Sequence, residues 1–260
     1  MIGANRLSAA ESGSSRMVAA GCARHRLLAL LILIPLALIL GCVAGAVIGR
    51  IAATSSDRDQ RLAQISADLH SIRGDYLLAL GDSHVARWHG RELCGLPLVN
   101  AGLHGATTAD ADDLLSRLSL SRPPRAIILT VGTNDANRKR FREPPEAVVR
   151  FRNAFRTLLT RMFQTSGLVV VTSLPPIDAR QVGGFSPEVA SDIAEMAQAT
   201  CRKHAACRVG AGFGEGIPLS DGLHLADYER AYQSIAQPLC AALSQEPSPA
   251  RRQNADAGAP

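Results

Sequence analysis

Short apolar runs alternate with longer amphipathic stretches between residues 76 and 243, and this alternation constrains the fold more than any other feature. The apolar runs predict strands at 76–80, 96–100, 126–131, 168–172 and 207–209. The intervening stretches predict helices at 84–93, 108–120, 144–164, 186–204 and 224–243. Strands that alternate with helices indicate an α/β fold, in which a parallel sheet is covered by helices on both faces.

Residues capable of chemistry follow these strands at the points where the strands end. Right-handed crossovers bring the carboxyl ends of parallel strands to one edge of the sheet, where ligands bind. We expect that edge to collect Ser83, Gly105, Asn134 and the loop before His224. Each has an ordinary structural explanation when taken alone, as a helix cap, a turn glycine, a strand-end cap or a surface histidine.

The predicted edge combines a nucleophile with a candidate base. A serine hydroxyl needs a neighbouring base to attack at neutral pH. His224 is the best of the seven histidines, because Asp221 precedes it by three residues in a loop and could hold its ring towards Ser83. The backbone amides of Ser83 and Gly105 and the side-chain amide of Asn134 could stabilise the oxyanion that forms.

Four sequence blocks occur in the order typical of one family. They are Gly81-Asp82-Ser83, Asn100 followed by Gly105, Gly132-x-Asn134-Asp135, and Asp221-x-x-His224. Over about residues 76–243 the chain therefore resembles the SGNH hydrolases, also called GDSL esterases and lipases.

The resemblance implies a flavodoxin-like three-layer α/β/α fold that uses no cofactor and no metal. It implies ester hydrolysis through an acyl-serine intermediate, with Ser83, Asp221 and His224 as the catalytic residues. The implied oxyanion hole consists of Ser83, Gly105 and Asn134. We assign no catalytic role to His84, which follows the serine where family members vary, and regard it as a candidate substrate contact.

An uncharged apolar segment covers residues 27–49 and is long enough to cross a hydrocarbon core of about 30 Å. Arg24 and Arg26 precede it, which predicts a cytoplasmic tail at 1–26 and the remainder of the chain outside the cytoplasm. A cleaved signal peptide, leaving a secreted protein, is the alternative, although its apolar core is usually only about 7–15 residues long.

The rest of the chain is divided by composition. Residues 50–74 carry apolar side chains at three- and four-residue spacing, which predicts a helix that is a stalk or packs on the domain. The hydrolase domain is predicted at 75–244, followed by a disordered tail at 245–260. The net charge of +5 includes +4 from residues 1–50, so nothing indicates a nucleic-acid partner.

Four cysteines belong to the segment predicted to lie outside the cytoplasm, where disulfides persist. They are Cys94, Cys201, Cys207 and Cys240. Three pairings are possible, Cys201 and Cys207 are nearest in sequence, and buried free thiols are an alternative.

The predicted function is hydrolysis of a carboxylic ester, with acetylated glycan, another cell-envelope ester or lysophospholipid as substrate. Short candidate cover loops at 174–184 and 211–220 favour small acyl groups over long chains. The alternatives are an O-acyltransferase acting on envelope polysaccharide and a non-catalytic glycan-binding module on a stalk. A nucleotide-binding role is disfavoured, because the loop after the second strand lacks the glycine spacing that cradles phosphates.

Overall fold

The computed structural model describes residues 57–245 of the 260-residue chain. Six strands form one sheet in the order β2-β3-β1-β4-β5-β6. They are β1 (Leu77–Gly81), β2 (Glu92–Leu93), β3 (Leu96–Gly102), β4 (Ala126–Thr130), β5 (Val169–Thr172) and β6 (Cys207–Gly210). All neighbouring strands pair in parallel except the short edge strand β2, which is antiparallel to β3. The predicted α/β sheet is therefore confirmed, with one added antiparallel edge.

Helices cover both faces of the sheet. They are α1 (residues 57–71), α2 (Ser83–Ala86), α3 (Thr108–Arg117), α4 (Pro144–Thr165), α5 (Pro187–Cys201), α6 (Tyr228–Gln233) and α7 (Ala236–Gln245). Alternate residues of β1 face opposite sides, so that Leu78 packs with α1, α3, α4 and α5, and Leu77 packs with α6 and α7. Two apolar cores result, one on each side of the sheet.

The helix over residues 57–71 packs on the domain, which was one of the two roles expected for this segment. Ile65 and Leu69 are buried in the core on its side of the sheet. Arg61 of the same helix donates through Nη2 to the Asn100 carbonyl at 2.8 Å and through Nε to the Gly102 carbonyl at 3.1 Å. The helix is thus attached to the end of β3, which leads into the loop that contains Gly105.

The prediction of a helix over 84–93 was wrong. Only α2 forms, and Asn100 Nδ2 then donates to the carbonyls of Val85 and Trp88 at 2.7 and 2.6 Å. The Trp88 ring is buried and stacks on Tyr232 with ring centroids 3.8 Å apart. This packing between distant parts of the chain outweighs the local helical pattern.

The single final helix predicted over 224–243 was also wrong, because two helices form there. His224 remains in a loop, and the Asp227 side chain caps α6 by accepting the Arg230 amide. Pro238 explains the interruption, because its missing N–H is tolerated only in the first turn of a helix, where α7 places it.

Two disulfides resolve the pairing that the sequence left open. Cys94 is bonded to Cys240, and Cys201 is bonded to Cys207. The first joins the turn between β2 and β3 to α7, and the second joins the end of α5 to the start of β6.

Across residues 57–245, no helix has both the length and the apolar composition needed to span a membrane. The predicted anchor at 27–49 and the cytoplasmic tail before it lie outside the described residues. So do residues 246–260 of the tail predicted at 245–260, whose first residue, Gln245, ends α7.

Candidate active site

The turn after the central strand β1 presents a serine. Asp82 caps α2, its Oδ1 accepting the His84 amide at 2.9 Å, and Ser83 is the first residue of that helix. Asp82 is fully buried, and its Oδ2 has no hydrogen-bond partner in the described part of the chain. Burial raises the pKa of the Asp82 carboxyl to about 7.

Ser83 forms a continuous hydrogen-bonded chain with the loop before α6. Its Oγ lies 2.9 Å from Nε2 of His224, and Nδ1 of His224 lies 2.7 Å from Oδ2 of Asp221. The serine and the histidine are 141 residues apart in sequence, so the sheet topology brings them together. The three residues that the sequence singled out as nucleophile, base and orienting acid are thus in direct contact.

The Asp221 carboxylate is held in its charged form. Partial burial acts to raise its pKa, but hydrogen bonds from the His224 ring and from the amides of His224 and Leu223 outweigh burial and lower the pKa to about 2. An ionised Asp221 accepts a hydrogen bond from the Nδ1–H group of His224, which leaves the Nε2 lone pair of His224 facing the Ser83 hydroxyl.

The loop that carries His224 is itself fixed. The Ser220 amide donates to the His224 carbonyl at 2.7 Å, and Leu219 and Leu225 form an antiparallel bridge around the histidine. The ring therefore projects from a short, closed loop.

Two of the three candidate oxyanion donors follow the strands on either side of β1, and the third is the amide of Ser83 itself. Gly105 comes after β3 with φ +71°, a left-handed conformation that suits glycine, and a side chain there would project into open space. Asn134 lies in the turn after β4, where it is buried and its Nδ2 has no partner among residues 57–245. Buried donors are rarely left unpaired in folded proteins. One explanation for Asn134 is that its partner is an oxyanion, which forms only during the reaction.

His84, which the sequence suggested as a candidate substrate contact, is fully buried beneath the site. Its Nδ1 lies 2.9 Å from the Tyr228 hydroxyl and its Nε2 lies 3.1 Å from Oγ1 of Thr133. Burial lowers the pKa of the His84 imidazole to about 3, so the ring is neutral at ordinary pH. Neither Thr133 nor Tyr228 stands out in the sequence as a candidate site residue.

Residues 73–237 match the GDSL-like lipase/acylhydrolase family. The chain belongs to this family. The resemblance drawn from the four sequence blocks is confirmed, and the protein is an ester hydrolase. Helix α1 precedes the matched region. Arg61, which contacts β3, therefore lies outside the segment of this GDSL-family enzyme that matches the family.

Solved structures with the same fold share little sequence with this GDSL-family chain. A Streptococcus pneumonia protein named as a platelet activating factor is 21% identical with a TM-score of 0.58, covering 77% of this chain and 99% of its own. A lipase/acylhydrolase from Enterococcus faecalis is 20% identical with a TM-score of 0.54, covering 67% of this chain and 100% of its own. No curated protein matches the sequence.

Proposed function

We propose that this GDSL-family enzyme is a serine esterase that removes small acyl groups from cell-envelope esters through an acyl-serine intermediate. The observation that carries the proposal is the hydrogen-bonded chain from Ser83 through His224 to Asp221, with distances of 2.9 and 2.7 Å. This arrangement is the one that activates a serine for acyl transfer.

In the first step, Ser83 Oγ attacks the ester carbonyl while Nε2 of His224 accepts the hydroxyl proton. The charged Asp221 stabilises the imidazolium that results. The carbonyl oxygen becomes an oxyanion, for which the unpaired Nδ2 of Asn134 and the amides of Ser83 and Gly105 are the proposed donors.

The tetrahedral intermediate then collapses, and His224 donates its proton to the leaving alcohol. In the second step, His224 takes a proton from water, and the resulting hydroxide attacks the acyl-serine carbonyl. Collapse releases the carboxylic acid and returns the proton to Ser83.

The composition of the described surface favours a substrate with a small acyl group. Val149 is the only large hydrophobic side chain exposed within the described residues, and it lies on α4. A long acyl chain would need an extended apolar groove in which to bury its methylenes. An acetyl or similarly short group needs none, and the alcohol part of the substrate can remain in solvent.

The proposed location is the outer face of a membrane, with residues 27–49 as an uncleaved anchor. The uncharged segment and the arginines before it support this orientation. Two disulfides in the domain also fit an oxidising compartment. Secretion after signal cleavage would place the same domain in the same compartment.

The test compares the full-length protein with Ser83→Ala and with Ser116→Ala, which removes an exposed hydroxyl on α3. Each is treated with a fluorophosphonate probe and then offered acetyl and octanoyl nitrophenyl esters. We expect the wild type and Ser116→Ala to be labelled and to prefer the acetyl ester, and Ser83→Ala to show neither labelling nor turnover. Labelling of Ser83→Ala, or a folded wild type that is not labelled, would refute the acyl-serine mechanism. A preference for the octanoyl ester would refute only the small-acyl assignment.

A further inference from the structure

One buried imidazole joins the three loops that form the proposed site. His84 is covalently next to Ser83, and its ring reaches two residues that are 49 and 144 positions away. Thr133, which faces Nε2, directly precedes Asn134 in the turn after β4. Tyr228, which faces Nδ1, also accepts the Leu225 amide at 3.3 Å. Leu225 directly follows His224 in sequence.

The hydrogen bonds are consistent with one neutral tautomer. In that tautomer the Tyr228 hydroxyl, whose oxygen accepts the Leu225 amide, donates to His84 Nδ1. The other ring nitrogen then carries the proton and donates it to Thr133 Oγ1. In this arrangement both ring nitrogens are paired, and no charge is buried.

His84 lies outside the route of the transferred proton. Its ring centroid is 5.6 Å from that of His224, and both of its nitrogens are already bonded to Thr133 and Tyr228. Any effect on catalysis must therefore pass through those two partners.

We propose that His84 is a positioning residue, whose paired ring fixes the His224 loop and the Asn134 turn relative to Ser83. This inference rests on the proposed function and assigns a role to a residue outside the catalytic chain. An apolar side chain could fill the same buried space, but it would leave the Thr133 and Tyr228 hydroxyls without this partner. A hydrogen-bonded network specifies one arrangement of its members more narrowly than apolar packing does.

Two substitutions of similar size separate polarity from packing. His84→Met removes both hydrogen bonds, whereas His84→Gln keeps a donor and an acceptor on a side chain of comparable length. We would measure the fluorophosphonate labelling rate of the full-length protein, kcat and KM for acetyl nitrophenyl ester, and the melting temperature. Ser166→Ala is the control, because Ser166 is a buried hydroxyl bonded to the carbonyls of Pro124 and Leu168, which precede β4 and β5 at the far end of the sheet.

We expect His84→Met to slow labelling and kcat by about 5- to 150-fold, the range for leaving buried hydrogen-bonding groups unpaired. KM should change by less than about twofold, since no substrate contact is removed. His84→Gln should recover part of the rate. Ser166→Ala should lower the melting temperature without slowing labelling. A folded His84→Met that is labelled at the wild-type rate would overturn the inference and leave the proposed function standing.

Removing one hydroxyl at a time tests the hydrogen bonds of His84 to Tyr228 and to Thr133 separately. These single variants also test the inference if the His84 variants do not fold. Tyr228→Phe and Thr133→Val should each slow labelling, and Tyr228→Phe combined with His84→Met should lose less than the product of the two single losses. Wild-type labelling by both single variants, or fully multiplicative losses in the double variant, would count against the inference. A wild type that is not labelled would refute the inference together with the proposed function.

Discussion

Replacing Asp82 with asparagine should change how the stability of the protein depends on pH. The carboxyl group is fully buried beside Ser83, and one of its oxygens has no partner in the described residues. Burial raises its pKa from 3.8 to about 7, so the folded protein holds this proton over a pH range in which the unfolded chain has lost it. Asparagine keeps a side-chain oxygen that can cap α2 but does not titrate.

The expected magnitude follows from the difference between the two pKa values. Each pKa unit corresponds to about 1.4 kcal/mol, so a shift of about three units gives a charge burial penalty of about 4 kcal/mol. The penalty is absent below pH 3.8, grows as pH rises and is complete above pH 7. The free energy of unfolding of the wild type should therefore fall by about 4 kcal/mol relative to that of Asp82→Asn between pH 4 and pH 8.

Urea unfolding of both proteins at several pH values measures this difference. Any packing effect of asparagine is a constant offset and does not alter the slope. Asp110→Asn gives a comparison of opposite sign, because hydrogen bonds from Thr107 and the nearby Arg58 lower the pKa of Asp110 despite its partial burial. That variant should lose stability relative to wild type as pH rises towards 3.8, and the difference should then stay constant between pH 4 and pH 8. A difference between wild type and Asp82→Asn that stays constant from pH 4 to pH 8 would refute the reasoning.

Three further variants test other parts of the structure. Asn134→Ala should lower kcat/KM for acetyl nitrophenyl ester by about 100- to 1,000-fold with little change in melting temperature, because its Nδ2 bonds no described protein group. Replacing Cys94 and Cys240 with serine opens a link between residues 146 apart and should lower the free energy of unfolding by about 2–5 kcal/mol, measured in urea. Arg61→Ala removes the hydrogen bonds to the end of β3 and should lower the free energy of unfolding by about 1–3 kcal/mol, with slower fluorophosphonate labelling as the sign that the Gly105 loop has moved.

The strands were predictable because a buried strand requires a run of apolar residues that is visible in the local sequence. The near-continuous apolar run at 126–131 is what a strand covered on both faces requires, and β4 occupies Ala126–Thr130 there. Strand β2 has two residues and leaves no pattern of its own. The prediction of a helix at 84–93 failed because the chain leaves the helix before Trp88, whose ring stacks on Tyr232. The two residues are far apart in sequence, so no local pattern records their contact.

The candidate site was predictable to a similar extent. Asp221 and His224 are three residues apart, so their pairing could be proposed from sequence, and the order of the strands places Ser83 opposite them. The partners of His84 could not be found in this way, because Thr133 and Tyr228 belong to other loops and neither has a distinctive local pattern. The position of His84 beside the serine was the only available signal.

The two unpaired polar atoms in the buried part of residues 57–245 both belong to this edge of the sheet, and they have different explanations. Asn134 Nδ2 is a donor that would gain its partner when an oxyanion forms, so leaving it unpaired at rest makes its contribution specific to the transition state. Asp82 Oδ2 is an acceptor whose burial costs stability above pH 7. Such departures from full hydrogen bonding are uncommon in folded proteins and concentrate where function requires them. Their position next to Ser83 and in the turn after β4 therefore supports the same site that the hydrogen-bonded chain from Ser83 to Asp221 defines.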